Sequence, residues 1–207
     1  MSNSITADKV FEINGVTVNE YLLENHNTNH ILLPSKRTSP LFGVVIHNTE
    51  VVQSDDCGRS YTAATLNGNM GTSRTHFYVT HQSAWQNLPL DSTNWTCGDY
   101  KTNGNGNWGC ISLEIIMNGT TGENNIKARD NGARIAAHLL KIYGLNVDDL
   151  YTHNYFLNVR DGVKGDYNQL CTTPGKDRNC PLYIVGDWER FRRQVKKYLD
   201  ELDKAGS

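Results

Sequence analysis

Alternating and uninterrupted apolar residues along the chain predict a set of short strands. Residues 11–18 alternate apolar and polar positions around Asn14-Gly15, a pair that suits a type I′ turn, and therefore predict a β-hairpin. Four other stretches have the β-branched runs or the period-two spacing of strands in a main sheet. They are residues 43–46, 75–80, 84–88 and 111–117.

Helical spacing marks three other stretches. Residues 124–143 carry a wide apolar stripe that includes Ile142, and Gly144 ends it. Residues 188–202 form a second amphipathic pattern, and residues 55–66 predict a shorter helix closed by Asn67-Gly68. Residues 27–37 and the Gly/Asn-rich residues 99–107 predict surface loops. Helices interleaved with strands predict an α/β sandwich.

Length and charge narrow the class of protein. The 207 residues predict a single domain spanning residues 1–207, with roughly 70% of the unfolded surface buried. With 20 basic and 22 acidic residues the formal net charge is −2, which favours neither a nucleic acid nor an anionic membrane as partner. No apolar run approaches the ~18 residues of a membrane span, and Met1-Ser2-Asn3-Ser4 lacks the apolar segment of a signal peptide. We therefore expect synthesis in a cytoplasm.

The five cysteines, at positions 57, 97, 110, 171 and 180, are an odd number without CxxC spacing. This disfavours a zinc ribbon and a complete disulfide framework. A bridge between Cys97 and Cys110 across the Gly/Asn-rich loop is a minor alternative.

Cys180 is a candidate metal ligand. A thiolate binds Zn²⁺ strongly, and the following Pro181 stiffens the backbone that carries it. We expect the cationic Lys176 and Arg178 just upstream to lower the pKa of this thiol. Because an isolated cysteine is more often a small buried hydrophobe, the candidate depends on which residues complete the site.

Two histidines are best placed to complete it. His47 follows the β-branched run of a buried strand, which we expect it to end, and His153 follows the long helix and a short acidic turn. We therefore predict a zinc site of His47, His153 and Cys180. His26 and His30 have the spacing of a helical zinc pair, but the segment between them is poor helix sequence and supplies no Glu.

Glu114 is the most informative carboxylate. Strand alternation places Ile111, Leu113 and Ile115 on one face and Glu114 on the other. An unpaired Glu would be costly to bury in so apolar a strand, so an ion-paired or exposed side chain is the alternative to a general base.

These stretches together resemble a known family. Thr75-His76-Phe77-Tyr78-Val79 resembles its "HF/HY" strand, and Trp85-Gln86-Asn87-Leu88-Pro89 its "YQ-x-VP" strand. Residues 94–99 are similar to "AWHAGD" and residues 111–115 to "IGIE". The ordered set, from about residue 40 to residue 184, resembles the type-2 zinc-dependent N-acetylmuramoyl-L-alanine amidases, which are related to peptidoglycan recognition proteins and common in phage endolysins.

The resemblance implies a fold, a reaction and roles for particular residues. The fold is α/β, a central mixed β-sheet flanked by α-helices, with an N-terminal hairpin at about residues 10–20 and an amidase core at about 40–205. The reaction is zinc-dependent hydrolysis of the bond between N-acetylmuramic acid and L-alanine in peptidoglycan. Glu114 is the expected base, and Arg178, with Lys176, the expected oxyanion partner. Asn48, Trp95, Thr96 and Asn154 are expected to line the substrate groove.

The chain departs from the family pattern in three places. Arg178 stands where Lys is frequent, Thr96 where many relatives have His, and Thr75 where one branch has a catalytic Tyr. The last departure gives more of the chemistry to Glu114. Two alternatives remain open: a non-catalytic peptidoglycan-binding module of the same fold, and a hydrolase with Cys57 or Cys110 as nucleophile. Without a signal peptide, we expect a phage endolysin domain, linked in a longer parent to a wall-binding module, rather than a secreted autolysin.

Overall fold

A seven-stranded mixed sheet forms the centre of the computed structural model, which describes residues 5–51, 54, 57–99, 105–171 and 179–205. The strands are β1 (Lys9–Ile13), β2 (Val16–Glu20), β3 (Gly43–Glu50), β4 (Phe77–Val79), β5 (Ala84–Gln86), β6 (Cys110–Met117) and β7 (Leu150–Thr152). Their order is β1-β2-β5-β4-β6-β3-β7, and β4, β6, β3 and β7 run parallel to one another. The predicted α/β class with a central mixed sheet is confirmed.

Seven α-helices accompany the sheet in the described parts of the chain. They are α1 (Leu23–His26), α2 (Cys57–Leu66), α3 (Gly106–Gly109), α4 (Glu123–Ile142), α5 (His153–Arg160), α6 (Leu182–Val185) and α7 (Trp188–Ala205). The predicted long helix, the C-terminal helix and the described part of the helix before Gly68 are confirmed. Asp55 and Asp56, the predicted cap of α2, lie outside the described residues.

The predicted hairpin and the antiparallel strand pair are also confirmed. β1 pairs with β2, and Asn14 and Gly15 both adopt the positive φ that a type I′ turn requires, 47° and 79°. β4 pairs antiparallel with β5. The segment between α1 and β3 has no helix or extended strand, as expected for a loop.

The two central strands are buried on both faces. Val44 and Ile46 of β3 join Leu113 and Ile115 of β6 in the main core, against which α4 and α7 pack. Because side chains alternate along a strand, Val45 and His47 point to the opposite face. There α2 and α5 cover the sheet, and the side chain of Phe156 packs with Val45. The candidate site forms on this second face.

Three expectations from the sequence are wrong. His47 does not end its strand, because β3 continues by backbone pairing with β6 as far as Glu50. The stretch 99–107 is not wholly a surface loop: Asp99 and Asn107 are buried, because the carboxylate of Asp99 accepts backbone N–H groups at the start of α3. Ile142 is exposed at the end of α4 rather than part of its buried stripe.

All five cysteines are free thiols, so Cys97 and Cys110 form no bridge although both are buried. Within the described ranges, no helix combines the length and the apolar character that crossing a membrane requires.

Candidate active site

Three predicted ligands converge on the second face of the sheet. His47 lies within β3, His153 is the first residue of α5, and Cys180 precedes α6. Each offers one ligand atom, and these atoms lie within 4.8 Å of one another. Nδ1 of His47 is 3.7 Å from Sγ of Cys180, and the two imidazole rings have centroids 4.8 Å apart.

The donor set fits a zinc ion. Bonds of about 2.3 Å to sulfur and about 2.1 Å to nitrogen, at a tetrahedral angle, place the two ligand atoms roughly 3.6 Å apart. The observed 3.7 Å between His47 and Cys180 agrees with that separation. Nε2 of His153 is buried and has no hydrogen-bond partner among the described residues. Unpaired buried nitrogens are costly, whereas a metal would satisfy the nitrogen that faces it.

A hydrogen bond fixes the ring of His153. Its N–H donates to the backbone carbonyl of Cys97, which leaves Nε2 as the unpaired nitrogen. The Cys97 N–H in turn donates to Oδ1 of Asn107 at 2.8 Å, and the Asn107 N–H donates to Asp99 at 3.2 Å. A ligating His commonly donates its other ring N–H to a carbonyl in this way, which sets its tautomer.

Both imidazoles are held in the neutral form that binds metal. Burial lowers the pKa of His153 to about 4, and burial with the neighbouring His153 lowers the pKa of His47. Burial, with the nearby Glu114, raises the pKa of the Cys180 thiol. This corrects the expectation of a lowered pKa there; Lys176 and Arg178, which were to lower it, lie outside the described residues.

Glu114 lies directly beside His47 because the two residues are register partners in β6 and β3. Its Oε1 is 4.0 Å from Nδ1 of His47, and its Oε2 accepts a hydrogen bond from Thr49 at 3.0 Å. The side chain is 16% exposed. Burial raises its pKa to about 7, which the Thr49 hydrogen bond partly opposes. A carboxyl with that pKa can both accept and donate a proton near neutral pH.

The Glu114 carboxyl, His153 and Cys180 open onto a cavity of about 500 Å³. Both polar and apolar side chains line this cavity. The other lining residues are Asn48, Thr49, Glu50, Val51, Tyr61, Met70 and Leu157. Tyr61, Met70 and Leu157 were not predicted, because only the packing of α2, α5 and the loop after α2 onto the sheet brings them together.

Of the four residues predicted to line the substrate groove, only Asn48 lines the cavity. Asn48 lines the cavity, but its side chain also bonds the Ile115 carbonyl and the Tyr183 N–H. Asn154 is fully buried, bonds Cys180 and is not among the described residues of the lining, and its substrate contact stays a prediction. Trp95 pairs with the backbone of Arg74, and the Thr96 hydroxyl donates to Asn94; neither is among the described residues of the lining.

The other histidines and cysteines that the structure describes are not members of this ligand cluster. His26 pairs with Asp8, and His76 is buried between Ser92 and Ser112. Cys110 is fully buried, and burial raises the pKa of its thiol. Cys57 is buried against Tyr78 and Ile116.

Comparison with known proteins places this site in a family. XlyB of Bacillus subtilis, an N-acetylmuramoyl-L-alanine amidase, is 28% identical over 159 residues, which are 76% of this chain and 43% of XlyB. CwlA of the same organism, also named as such an amidase, is 28% identical over 161 residues, 77% of this chain and 50% of CwlA. The chain therefore spans about half the length of these relatives.

A solved structure shares the fold. That of PlyL superposes with a TM-score of 0.62 at 22% identity, over 91% of this chain and 99% of PlyL. The family model described as N-acetylmuramoyl-L-alanine amidase matches residues 37–181, a span that contains all three candidate metal ligands and Glu114. This chain belongs to the N-acetylmuramoyl-L-alanine amidase family.

Proposed function

We propose that this domain hydrolyses the amide bond between the lactyl group of N-acetylmuramic acid and L-alanine in bacterial peptidoglycan, with one bound Zn²⁺. The observation that carries the proposal is the convergence of His47, His153 and Cys180 beside Glu114, with His153, Cys180 and Glu114 lining a cavity. Membership of the amidase family, which is generally zinc-dependent, supports the choice of bond and of metal.

The three side chains would hold the metal and leave a position open for the reactants, the arrangement that catalytic zinc sites share. Zinc bound there would polarise the scissile carbonyl and lower the pKa of the attacking water. Glu114, held by Thr49, would accept the proton of that water at a carboxylate oxygen and deliver it to the leaving nitrogen of L-alanine. Its raised pKa suits both halves of this transfer.

The walls of the cavity would orient the substrate. The side chains of Val51, Tyr61, Met70 and Leu157 line the same cavity, where they would exclude water from the reacting carbonyl. Arg178, with Lys176, remains the proposed partner of the developing oxyanion on the basis of the sequence spacing, since both lie outside the described residues.

Two observations weigh against the alternatives. A non-catalytic binding module of this fold has no need of three converging ligands beside a carboxyl of raised pKa. A cysteine nucleophile needs an accessible thiol next to a His base, whereas Cys57 and Cys110 are buried.

We further propose that the domain acts on the wall as part of an endolysin, made in the host cytoplasm and joined to a wall-binding module in a longer chain. The relatives' greater length supports the additional module.

Digestion of a purified muramoyl-pentapeptide tests the reaction. We expect free N-acetylmuramic acid and a peptide with a new N-terminal alanine, together with one zinc per chain by elemental analysis. A chelator should abolish the release, and zinc should restore it. If the release resists chelators but is blocked by alkylation of thiols, the protein is a cysteine hydrolase. If the protein binds the wall without releasing peptide, it is a non-catalytic module.

A further inference from the structure

Asn154 makes two hydrogen bonds to a single neighbour, the proposed ligand Cys180. The Asn154 N–H donates to the Cys180 carbonyl at 3.0 Å, and Oδ1 of Asn154 accepts the Cys180 N–H at 3.0 Å. One residue thereby satisfies both backbone polar groups of the ligand. The Asn154 side chain is fully buried.

The remaining polar atom of this side chain, Nδ2, makes two further hydrogen bonds. We call the hydrogen bonds of Asn154 around Cys180 the clamp. Nδ2 of Asn154 donates to Oδ1 of Asn179 at 3.1 Å and to the Gln169 carbonyl at 3.2 Å. Oδ1 of Asn179 also accepts the Cys171 N–H at 2.6 Å. The side chain of the residue that precedes Cys180 is therefore bonded to Asn154 as well.

The thiol itself is oriented from the other side. The backbone N–H of Asn48, next to the ligand His47, donates to Sγ of Cys180, and the Asn48 side chain accepts the Tyr183 N–H at 2.9 Å. With its backbone fixed by Asn154, Cys180 retains little freedom beyond its χ1 angle. The sulfur is thus directed toward His47 before any metal arrives.

We propose that Asn154 is the positioning residue of the metal site, coupling the ligands His153 and Cys180. The two ligands come from segments far apart in the chain, yet His153 and Asn154 are consecutive in α5. Any shift of this helix start moves the first ligand and the holder of the second together. This inference rests on the proposed zinc-dependent function. Residues that orient ligands typically contribute 10–100-fold to metal affinity.

Asn158 supplies a matched control. It lies one turn further along α5, is equally buried, and donates from Nδ2 to the Tyr167 carbonyl at 3.3 Å, away from the ligands. Loss of either amide removes buried hydrogen bonds and lowers stability. Only loss of the Asn154 amide removes a hydrogen bond to a proposed ligand, the one that Oδ1 accepts from the Cys180 N–H, while the backbone bond to the Cys180 carbonyl remains.

The test compares zinc dissociation constants of the whole chain, measured by competition with a chromophoric chelator. We expect Asn154→Ala to raise the constant by about 10–100-fold, Asn179→Ala to raise it less, and Asn158→Ala to leave it unchanged. The thiolate-to-cobalt absorption of the Co²⁺-loaded protein should weaken or shift in Asn154→Ala and keep its wild-type form in Asn158→Ala. Thermal unfolding without metal provides the stability of each variant.

The inference is overturned if Asn154→Ala binds zinc as the wild type does, or if both helix variants weaken zinc binding in proportion to their lost stability. If Asn154→Ala does not fold, Asn179→Ala decides: wild-type affinity and an unchanged cobalt spectrum in that variant contradict the clamp. A wild-type protein that binds neither zinc nor cobalt would refute the proposed function itself, which is a separate outcome.

Discussion

His47 and Glu114 are register partners on neighbouring parallel strands, and Nδ1 of the histidine lies 4.0 Å from Oε1 of the carboxylate. Strand pairing alone therefore places the proposed metal ligand His47 beside the proposed base Glu114, since adjacent strands are about 4.8 Å apart. A shift of the register by one residue would turn one of them into the apolar core.

Removal of His47 or Cys180 should remove the metal. His47→Ala and Cys180→Ala are each expected to purify with far less than one zinc per chain and to lose hydrolysis, because two ligands hold the ion poorly. Elemental analysis after dialysis measures this. His26→Ala is the control, since His26 pairs with Asp8 outside the site. Full zinc content in His47→Ala would show that the ligand set is wrong.

Replacement of Glu114 should separate binding of the metal from catalysis. Glu114→Gln keeps the side-chain shape and an acceptor for Thr49 but cannot take a proton, so turnover should fall by roughly 10²–10⁴-fold. Zinc content and the thermal midpoint should stay close to wild type. Glu50→Gln changes another carboxylate of the same cavity and is expected to retain most activity. Equal losses in the two variants would contradict an individual role for Glu114.

The proposed oxyanion partner can be identified by comparing two cations. If the segment before Cys180 is extended, as we expect from the sequence, position 178 would share the side of the ligand and position 176 would lie about 7 Å further along. Arg178→Ala should therefore lower turnover on a soluble muramoyl-peptide, with zinc retained. The expected loss of transition-state stabilisation is about 3–4 kcal/mol. Lys176→Ala should mainly raise KM. The reverse ranking would assign the oxyanion to Lys176.

The strands could be predicted from their apolar runs, and the three residues that cluster in the fold from local marks, a His after an apolar run or a Cys before a Pro. The role of Asn154 could not, because its burial depends on the return of the chain at Asn179 and Cys180, which are 25 and 26 residues away. Asp99 was misplaced for a similar reason. A Gly/Asn-rich loop predicts exposure, but the buried N–H groups at the start of α3 require an acceptor, and the Asp99 carboxylate supplies it.

His76 should make the protein acid-sensitive independently of the active site. Its Nδ1 accepts the Ser112 N–H at 3.1 Å and its Nε2 donates to the Ser92 carbonyl at 3.2 Å, so both nitrogens are engaged in the neutral form. A proton on Nδ1 would oppose the Ser112 N–H. Full burial, with the charge of Arg37, lowers the pKa of His76 to about 3.

The sign of this effect follows from proton binding in the two states. In the unfolded chain the pKa of a His is near 6.5, so between about pH 6.5 and 3 the unfolded state binds the extra proton and the free energy of unfolding falls as the pH falls. Each unit by which the pH falls in that window lowers the free energy of unfolding by about 1.4 kcal/mol. Urea unfolding of the wild type and of His76→Gln, each at pH 7 and pH 4.5, measures the contribution of His76. All other groups titrate in both proteins, so their effects cancel in the difference between the two free energies of unfolding. The wild type's advantage should shrink by about 2–3 kcal/mol between these pH values. A difference that stays constant would mean that His76 is not held neutral.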